Sequence, residues 1–192
     1  TDHPLSSNNY LAFARKLKQI GLDNGIHCNQ SHAPFPVYCK EIRSYLKRAI
    51  ECTAEAGGKI CVIHPDNYKS AQENAEMYSE LLPFAKECGV KIATENMWQW
   101  NNSAKACIDS TCSRAWEFNK YIDAIGSHYL TGCLDLGHVG LVGADLCKMI
   151  RLMGGDRIEA LHVHDNDKKN DSHTLPYASD GTINWNDVTA AL

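Results

Sequence analysis

Residues 59–95, KICVIHPDNYKSAQENAEMYSELLPFAKECGVKIATE, contain the pattern that decides the fold. Two short apolar stretches, 59–64 and 91–95, each end in a polar residue, His64 and Glu95. Between them, residues 72–88 space their apolar side chains as a helix does and stop at Gly89, a common helix terminator. Alternation of strand and helix implies parallel strands, because the chain must cross back before it can run in the same direction again.

The same unit recurs on either side. Strand-like segments at 25–32 (GIHCNQSH), 131–135 (TGCLD) and 158–164 (IEALHVH) end in His32, Asp135 and His164, so the five terminal polar residues are 32, 31, 40 and 29 positions apart. That is the length of one strand-plus-helix unit. Segments 38–56 and 114–125 supply further amphipathic helices that end near Gly57, Gly58 and Gly126. Residues 8–20 read as a helix stopped by Gly21, and Trp185 leads into a last helix with Asn186 as N-cap. The expected architecture is α/β, a (β/α)8 TIM barrel in a single domain over 1–192. Such a barrel takes about 250 residues, so truncation at both ends is expected. An open doubly wound sheet would suit the length, but neither GxGxxG nor a P-loop is present.

With 192 residues, 44% of them hydrophobic, the chain can bury one sizeable core. Its net charge is −4 and no Lys/Arg-rich run occurs, which argues against nucleic acid or an anionic membrane as partner. Of nine cysteines, Cys61, Cys88, Cys107, Cys133 and Cys147 sit in apolar or helical stretches and no CxxC pair appears, so reduced thiols are expected. Residues 1–10 lack a charged-then-apolar leader, and no apolar run approaches the ~18 residues of a membrane span. A cytoplasmic address is expected.

In a parallel barrel all strand C-termini emerge on one face, so polar residues ending successive strands converge. The candidates are His32, His64, Glu95, Asp135 with His138, His164, and the following Asp171 and His173. Carboxylates and imidazoles without a thiolate suit Mn²⁺, Co²⁺, Zn²⁺, Mg²⁺ or Fe²⁺. An unpaired carboxylate at the end of an apolar strand is costly to bury, so Glu95 points to a metal or other cation. Residues 135–138, DLGH, read either as ligands or as a turn capped by Asp135. His162 and His164 are expected to face opposite ways, so one reaches the site, and His164 is taken as that one. His32 and His64, just before prolines, either touch ligand or hold loops; Asp171 and His173, taken singly, read as solvated. Trp98 and Trp100 either wall a substrate or pack on a neighbouring loop. His27 reads as a mid-strand core residue, and His128 and Tyr129 are assigned no chemistry.

The segments SHAPFP (31–36), VIHP (62–65), ATENM (93–97), CLDLGH (133–138), LHVHDND (161–167), DSH (171–173) and DGTINW (180–185) follow one another over essentially the whole chain. In this order they resemble the xylose-isomerase-like barrels, which include sugar-phosphate isomerases and epimerases and the endonuclease IV type of repair enzyme. The resemblance implies that Glu95, Asp135 and His164 bind a divalent cation, with a fourth ligand, a Glu on the last strand, beyond Leu192. It implies that His138 touches substrate oxygens and that His32 and His64 line the pocket. In the three-zinc endonucleases the ligand set extends to His32, His64, His138, Asp171 and His173. After His164 the chain is similar to the HDND…H…PGxGxIxW pattern of the isomerase branch, departing from it at Ala178 and Ser179, and only Lys168 and Lys169 are positive there. The implied function is a metal-dependent (Mn, Co, Zn or Mg) isomerase or epimerase of a sugar, sugar phosphate or related polyol, working by proton transfer through an enediolate. Glu95 and His138 are its catalytic candidates; Trp98, Asp171 and His173 join the histidines around a small carbohydrate. Neither nucleic acid nor membrane is an expected partner, and barrels of this group often pair as homodimers. A trinuclear zinc phosphodiesterase and a non-catalytic small-molecule-binding barrel are the alternatives.

Overall fold

The computed structural model describes residues 4–178 and 181–192. Ser179, where the isomerase-branch pattern breaks, and Asp180 of the DGTINW segment lie outside the described residues. The chain forms two compact units, Thr1–Thr94 with Ser127–Leu130, and Glu95–Gly126 with Thr131–Leu192.

The first unit runs α1 (Tyr10–Asp23), β1 (Gln30–His32), α2 (Lys40–Ser44), α3 (Leu46–Ala56), β2 (Ile60–Val62), α4 (Ala71–Glu87) and β3 (Lys91–Glu95), whose last residue belongs to the second unit. The strands are parallel in the order β1–β2–β3, with Gln30 beside Ile60 and Ile60 beside Lys91. Local chemistry sets the helix ends. Ser70 accepts a hydrogen bond from the Glu73 amide while the Glu73 carboxylate takes the Ser70 amide, a capping box that starts α4. Gly57 ends α3 at φ 89°, a conformation that costs a residue with a side chain more. Leu46, Ile50, Ile63, Tyr78 and Ile92 fill the core.

Several expectations are corrected here. The first helix passes through Gly21 to Asp23; Gly21 instead lets the returning chain approach, since a Cβ there would lie 3.0 Å from the Ile26 carbonyl oxygen. The strand read over 25–32 pairs only at Gln30–His32, because Gly25 turns the chain at φ 70°, and His27 is exposed in the connection. The helix read over 38–56 divides into α2 and α3 at Tyr45.

The second unit begins with Glu95 and continues into a hairpin, β4 (Trp98–Asn101) antiparallel to β5 (Ala106–Asp109), where a loop was expected. Then come α5 (Ala115–Ile125), ended by Gly126 at φ 58°, β6 (Leu130–Asp135), α6 (Leu136–Leu141), α7 (Leu146–Met153), β7 (Ile158–His162) and α8 (Trp185–Ala191). β6 is buried along its whole length and pairs in parallel with β7. The last helix is capped by Asn184, whose side chain accepts from the Asn186 and Asp187 amides, and not by Asn186. All nine cysteines are free thiols. Among the described residues no helix is long and apolar enough to cross a membrane.

Within the first unit the buried Tyr78 hydroxyl donates to the Ile63 carbonyl at 2.9 Å and lies 2.8 Å from Thr94 Oγ1. Tyr78→Phe keeps the ring and takes this partner from the Ile63 carbonyl and the Thr94 hydroxyl. Urea unfolding is expected to show a loss of about 1–2 kcal/mol.

Candidate active site

The site is assembled in the second unit from the ends of its strands. Register places Asp135, the last residue of β6, beside His162, the last of β7. Helix α6 starts at once, with Asp135 as N-cap: its Oδ1 accepts the His138 amide at 2.8 Å. The same carboxylate receives His164 Nε2 at 2.9 and 3.0 Å. Asp135 is therefore both the cap and a member of the polar cluster, and the two readings of DLGH are compatible. The buried Asn96 side chain clasps the Asp135 backbone in both directions, accepting its N–H at 2.7 Å and donating to its carbonyl at 3.0 Å.

Glu95, 1% exposed, faces His162 Nδ1 at 3.0 Å, and the same nitrogen is 3.5 Å from Asp135 Oδ2. One imidazole N–H thus stands between two buried carboxylates. This corrects the expectation that His162 turns away from the site, and the strand read over 158–164 stops at His162. His162 ends β7 beside Asp135, and His164, two residues past the strand's end, reaches the same carboxylate, the two-residue step putting both on one side. The outward residue is the one between them, Val163, which is 54% exposed.

His138 gives Nδ1–H to the Asn96 carbonyl at 2.8 Å, an acceptor that fixes the tautomer and leaves Nε2 facing Asp171 Oδ2 at 3.4 Å and Asp135 Oδ2 at 3.8 Å. His173 stacks on His164, ring centroids 3.8 Å apart and planes within 6°, and sits 3.4 Å from Asp171. Trp98 meets His138 edge-on at 6.4 Å and is half-buried; Trp100 is 46% exposed. Ligand atoms of Asp135, His138 and His164 all lie within 4.8 Å of one another, as do those of His164, Asp171 and His173. In the first unit, His32 and His64 are brought to each other, Nε2 to Nε2 at 2.9 Å, with Phe35 stacked on His64.

Sequence reading missed Asn96, His162 and Asn166, whose amide donates to the Gly137 carbonyl at 2.9 Å, and Gly137 itself. A Cβ on Gly137 would fall 2.1 Å from His164 Cε1, so this position must be glycine for the imidazole to fit. Asn96 and Asn166 adjoin Glu95 and lie two residues past His164, inside motifs already singled out; that adjacency was the available signal.

Residues 1–192 match the family described as "Xylose isomerase-like TIM barrel". The chain belongs to this family. It is 26% identical over 158 residues to an uncharacterized protein, y4fM, of Sinorhizobium fredii, covering 77% of this chain and 47% of that one. It is 24% identical over 135 residues to the probable endonuclease 4 of Streptomyces avermitilis, 62% of this chain and 43% of that one. The chain spans about half the length of the curated relatives it matches. A solved D-tagatose 3-epimerase-like protein shares the fold with a TM-score of 0.78 at 21% identity, over 97% of this chain and 74% of that one. The IolI protein, whose structure holds a zinc atom, gives 0.68 at 16%, over 93% and 67%.

In this xylose isomerase-like chain the donor set fits a divalent cation. Its members are carboxylate and imidazole, and the nearby Cys133 is kept a thiol by burial, which pushes it up to about 11 despite its hydrogen bond to His162. Among the described residues, the buried atoms His164 Nδ1 and Asp171 Oδ1 have no hydrogen-bond partner. The electrostatics of the protonated cluster agree. Burial acts to lower the His162 imidazolium, but hydrogen bonds to Asp135, Cys133 and Glu95 outweigh it and hold it up at about 12. For His138 burial is likewise outweighed, by Asp171, Asp135 and Glu95, and the group rises to about 9. Burial acts to raise Asp135, yet His162, His164 and His138 bring it down to about 2.

Two outcomes follow from this geometry. Gly137→Ala should push His164 aside and weaken Mn²⁺ binding, measured by calorimetry, at least tenfold with an unchanged far-UV spectrum. For pH, both imidazoles are raised above the ordinary 6.5. Their contribution to the metal-free fold is therefore complete below that value and lost as pH rises through about 9 for His138. The melting temperature of chelator-treated protein should fall between pH 8 and 10, and cation binding at pH 7 should release protons, detected as a buffer-dependent enthalpy.

Proposed function

We propose that this chain carries the active site of a divalent-metal-dependent isomerase or epimerase acting on a sugar, sugar phosphate or related polyol, with Glu95, Asp135 and His164 holding the cation. The observation that carries the reading is the convergence of the Glu95 and Asp135 carboxylates, both 1% exposed, on the single His162 N–H between them. Two buried negative charges so placed call for positive charge, and burying them without it is costly. Glu95, Asp135 and His164 would hold a divalent cation there, which would supply that charge and the Lewis acidity that polarises a substrate's carbonyl and hydroxyl oxygens. The remaining work falls to the chain. Glu95 takes the proton from the carbon beside the carbonyl; return of a proton to the opposite face gives the epimer, and to the neighbouring carbon the isomer. His138, its Nδ1–H committed to Asn96, offers Nε2 to a substrate hydroxyl, and Trp98 limits water on that side.

Small polyols suit the charge of this unit better than a nucleic acid does. Residues 95–192 hold eight Lys and Arg against thirteen Asp and Glu. Arg114 is locked to Asp109 by two 2.7 Å bonds, and Arg157 is held by Asp123 at 2.8 and 2.9 Å. Phosphate contacts need unpaired cations. The three-zinc reading has in its favour the groupings of Asp135, His138 and His164 and of His164, Asp171 and His173, and the similarity to a probable endonuclease 4.

The test combines metal analysis with deuterium exchange. Protein loaded with Mn²⁺ or Co²⁺ should bind about one ion per chain and catalyse solvent deuterium incorporation into a ketose or ketose phosphate, followed by NMR. Glu95→Gln should cut that exchange about a thousandfold, and Asp135→Ala should abolish ion binding. Exchange retained in Glu95→Gln would sink the assignment, and three zincs with cleavage of an abasic duplex would replace it with the phosphodiesterase.

A further inference from the structure

Just beyond the candidate ligand His164 lies a carboxylate that the mechanism above does not use. Asp165 is 1% exposed, and the partners found for its carboxylate among the described residues are neutral N–H groups. Oδ1 accepts the amides of Asn166 at 2.8 Å, Thr182 at 2.7 Å and Ile183 at 3.2 Å, and Oδ2 accepts the Trp185 indole N–H at 2.9 Å. Its backbone pairs with Thr174 in both directions, at 2.8 and 2.9 Å. Thr182 Oγ1 adds a bond to the Asn166 carbonyl, and the fit is tight enough that a Cβ on Gly181 would lie 2.4 Å from Asp165 Oδ2.

These bonds close the base of the loop 166–173, and that loop carries Asp171 to 3.4 Å from His138 Nε2 and His173 onto the face of His164. Local hydrogen bonds shape the first half of the loop: Lys168 N–H donates to Asn166 Oδ1 at 2.9 Å, and the Lys169 and Asn170 amides donate to Asp167 Oδ1 at 2.8 and 2.7 Å. His173, not a glycine, stands at φ 49° beyond them, and such conformations persist where their surroundings over-determine them. The Asp165 carboxylate, with four donors converging on it, ties the base of the loop to 182–185.

We propose that Asp165 is a positioning residue, one that fixes the loop 166–173 through Thr182, Ile183 and Trp185 and thereby sets where Asp171 and His173 stand over His138 and His164. The consequence for a bound cation rests on the metal-dependent reading; the consequence for the loop does not. Asp165→Asn keeps the shape but turns an NH2 toward groups that are themselves donors, so the clasp cannot be satisfied.

The experiment is a double-mutant cycle on the full chain. Asp165→Asn should weaken Mn²⁺ binding about tenfold by calorimetry. In a background already carrying Asp171→Ala and His173→Ala, adding Asp165→Asn should change affinity by less than twofold, because the groups it positions are gone. A merely structural role would weaken binding further in that background as well, and that result, or wild-type affinity in Asp165→Asn, overturns the proposal. Should Asp165→Asn fail to fold, Trp185→Phe, which removes the indole donor together with part of the buried ring, should reproduce the pattern at about threefold; no effect in either background overturns it. Amide exchange in the metal-free protein separates the two ideas. Asp165→Asn should speed exchange at 167–173 at least tenfold while α7 is unchanged, even if no ion binds to the wild type. Unaltered exchange there overturns the proposal on its own, whereas absence of Mn²⁺ or Zn²⁺ binding in the wild type removes only the metal reading.

Discussion

Two carboxylates withdrawn from water within reach of one imidazole impose the condition that the rest of the second unit meets. Glu95 and Asp135 share His162 Nδ1, at 3.0 and 3.5 Å. In a low-dielectric setting neither charge is tolerable without hydrogen bonds and a positive neighbour. Both are met by imidazoles. Asp135 receives His164 Nε2 at 2.9 and 3.0 Å with His162 and His138 close by, and it is further fixed by the His138 amide on its Oδ1 and the Asn96 clasp on its peptide groups. Glu95 is met by the imidazoles of His162 and His138. Carboxylates balanced by titratable groups suit the divalent ion proposed above. The histidines can give up protons as the ion's charge arrives, so the buried charge changes less than the ion's own +2 implies.

On the metal-dependent reading proposed above, the same condition accounts for the imidazoles in the cluster. A lysine or arginine in place of His162 would neutralise the carboxylates permanently and leave nothing for a cation to displace. An imidazole raised to about 12 in the protonated cluster does so only conditionally, since its shift comes from the charges an ion would take over. The cost is steric: His164 occupies the space where Gly137 would carry a Cβ, which is why a strand end can run directly into α6 with two glycines in its six residues.

What could be read from the amino-acid order divides along physical lines. Features with a period or a punctuation mark were legible: the apolar strands ending in Glu95 and Asp135, the existence of β2 though it stops at Val62 short of His64, and the helices ended by Gly57 and Gly126. Elements too short to show a period were not. The hairpin β4–β5 turns without an Asn-Gly signal, at a loop holding Lys105 at φ 51°, and α6 is six residues long. Strand β1 looked longer than it is because pairing, not apolar character, sets its limits. In the site, residues whose side chains interact with one another were found, while Asn96 and Asn166, which serve backbone groups of distant elements, left no pattern. His162 is the exception, visible in the sequence and misassigned, since a two-residue step is the strand's own side-chain period.

The segment after His164 joins these threads. Its polarity suggests solvated loop, and Asp167 and Lys169 behave so, but Asp165 and Asn166 are each 1% exposed. Irregular backbone can be buried only if its N–H and C=O groups find partners, and here one carboxylate satisfies several N–H groups at once. A neutral amide of similar size keeps an acceptor for the Asn166, Thr182 and Ile183 amides but turns a donor toward the Trp185 indole N–H. A carboxylate at 165 therefore follows from the demand for an acceptor on both oxygens. Any charge-balance argument for this site has to treat Asp165 as spent on the backbone and separate from the carboxylates that face His162.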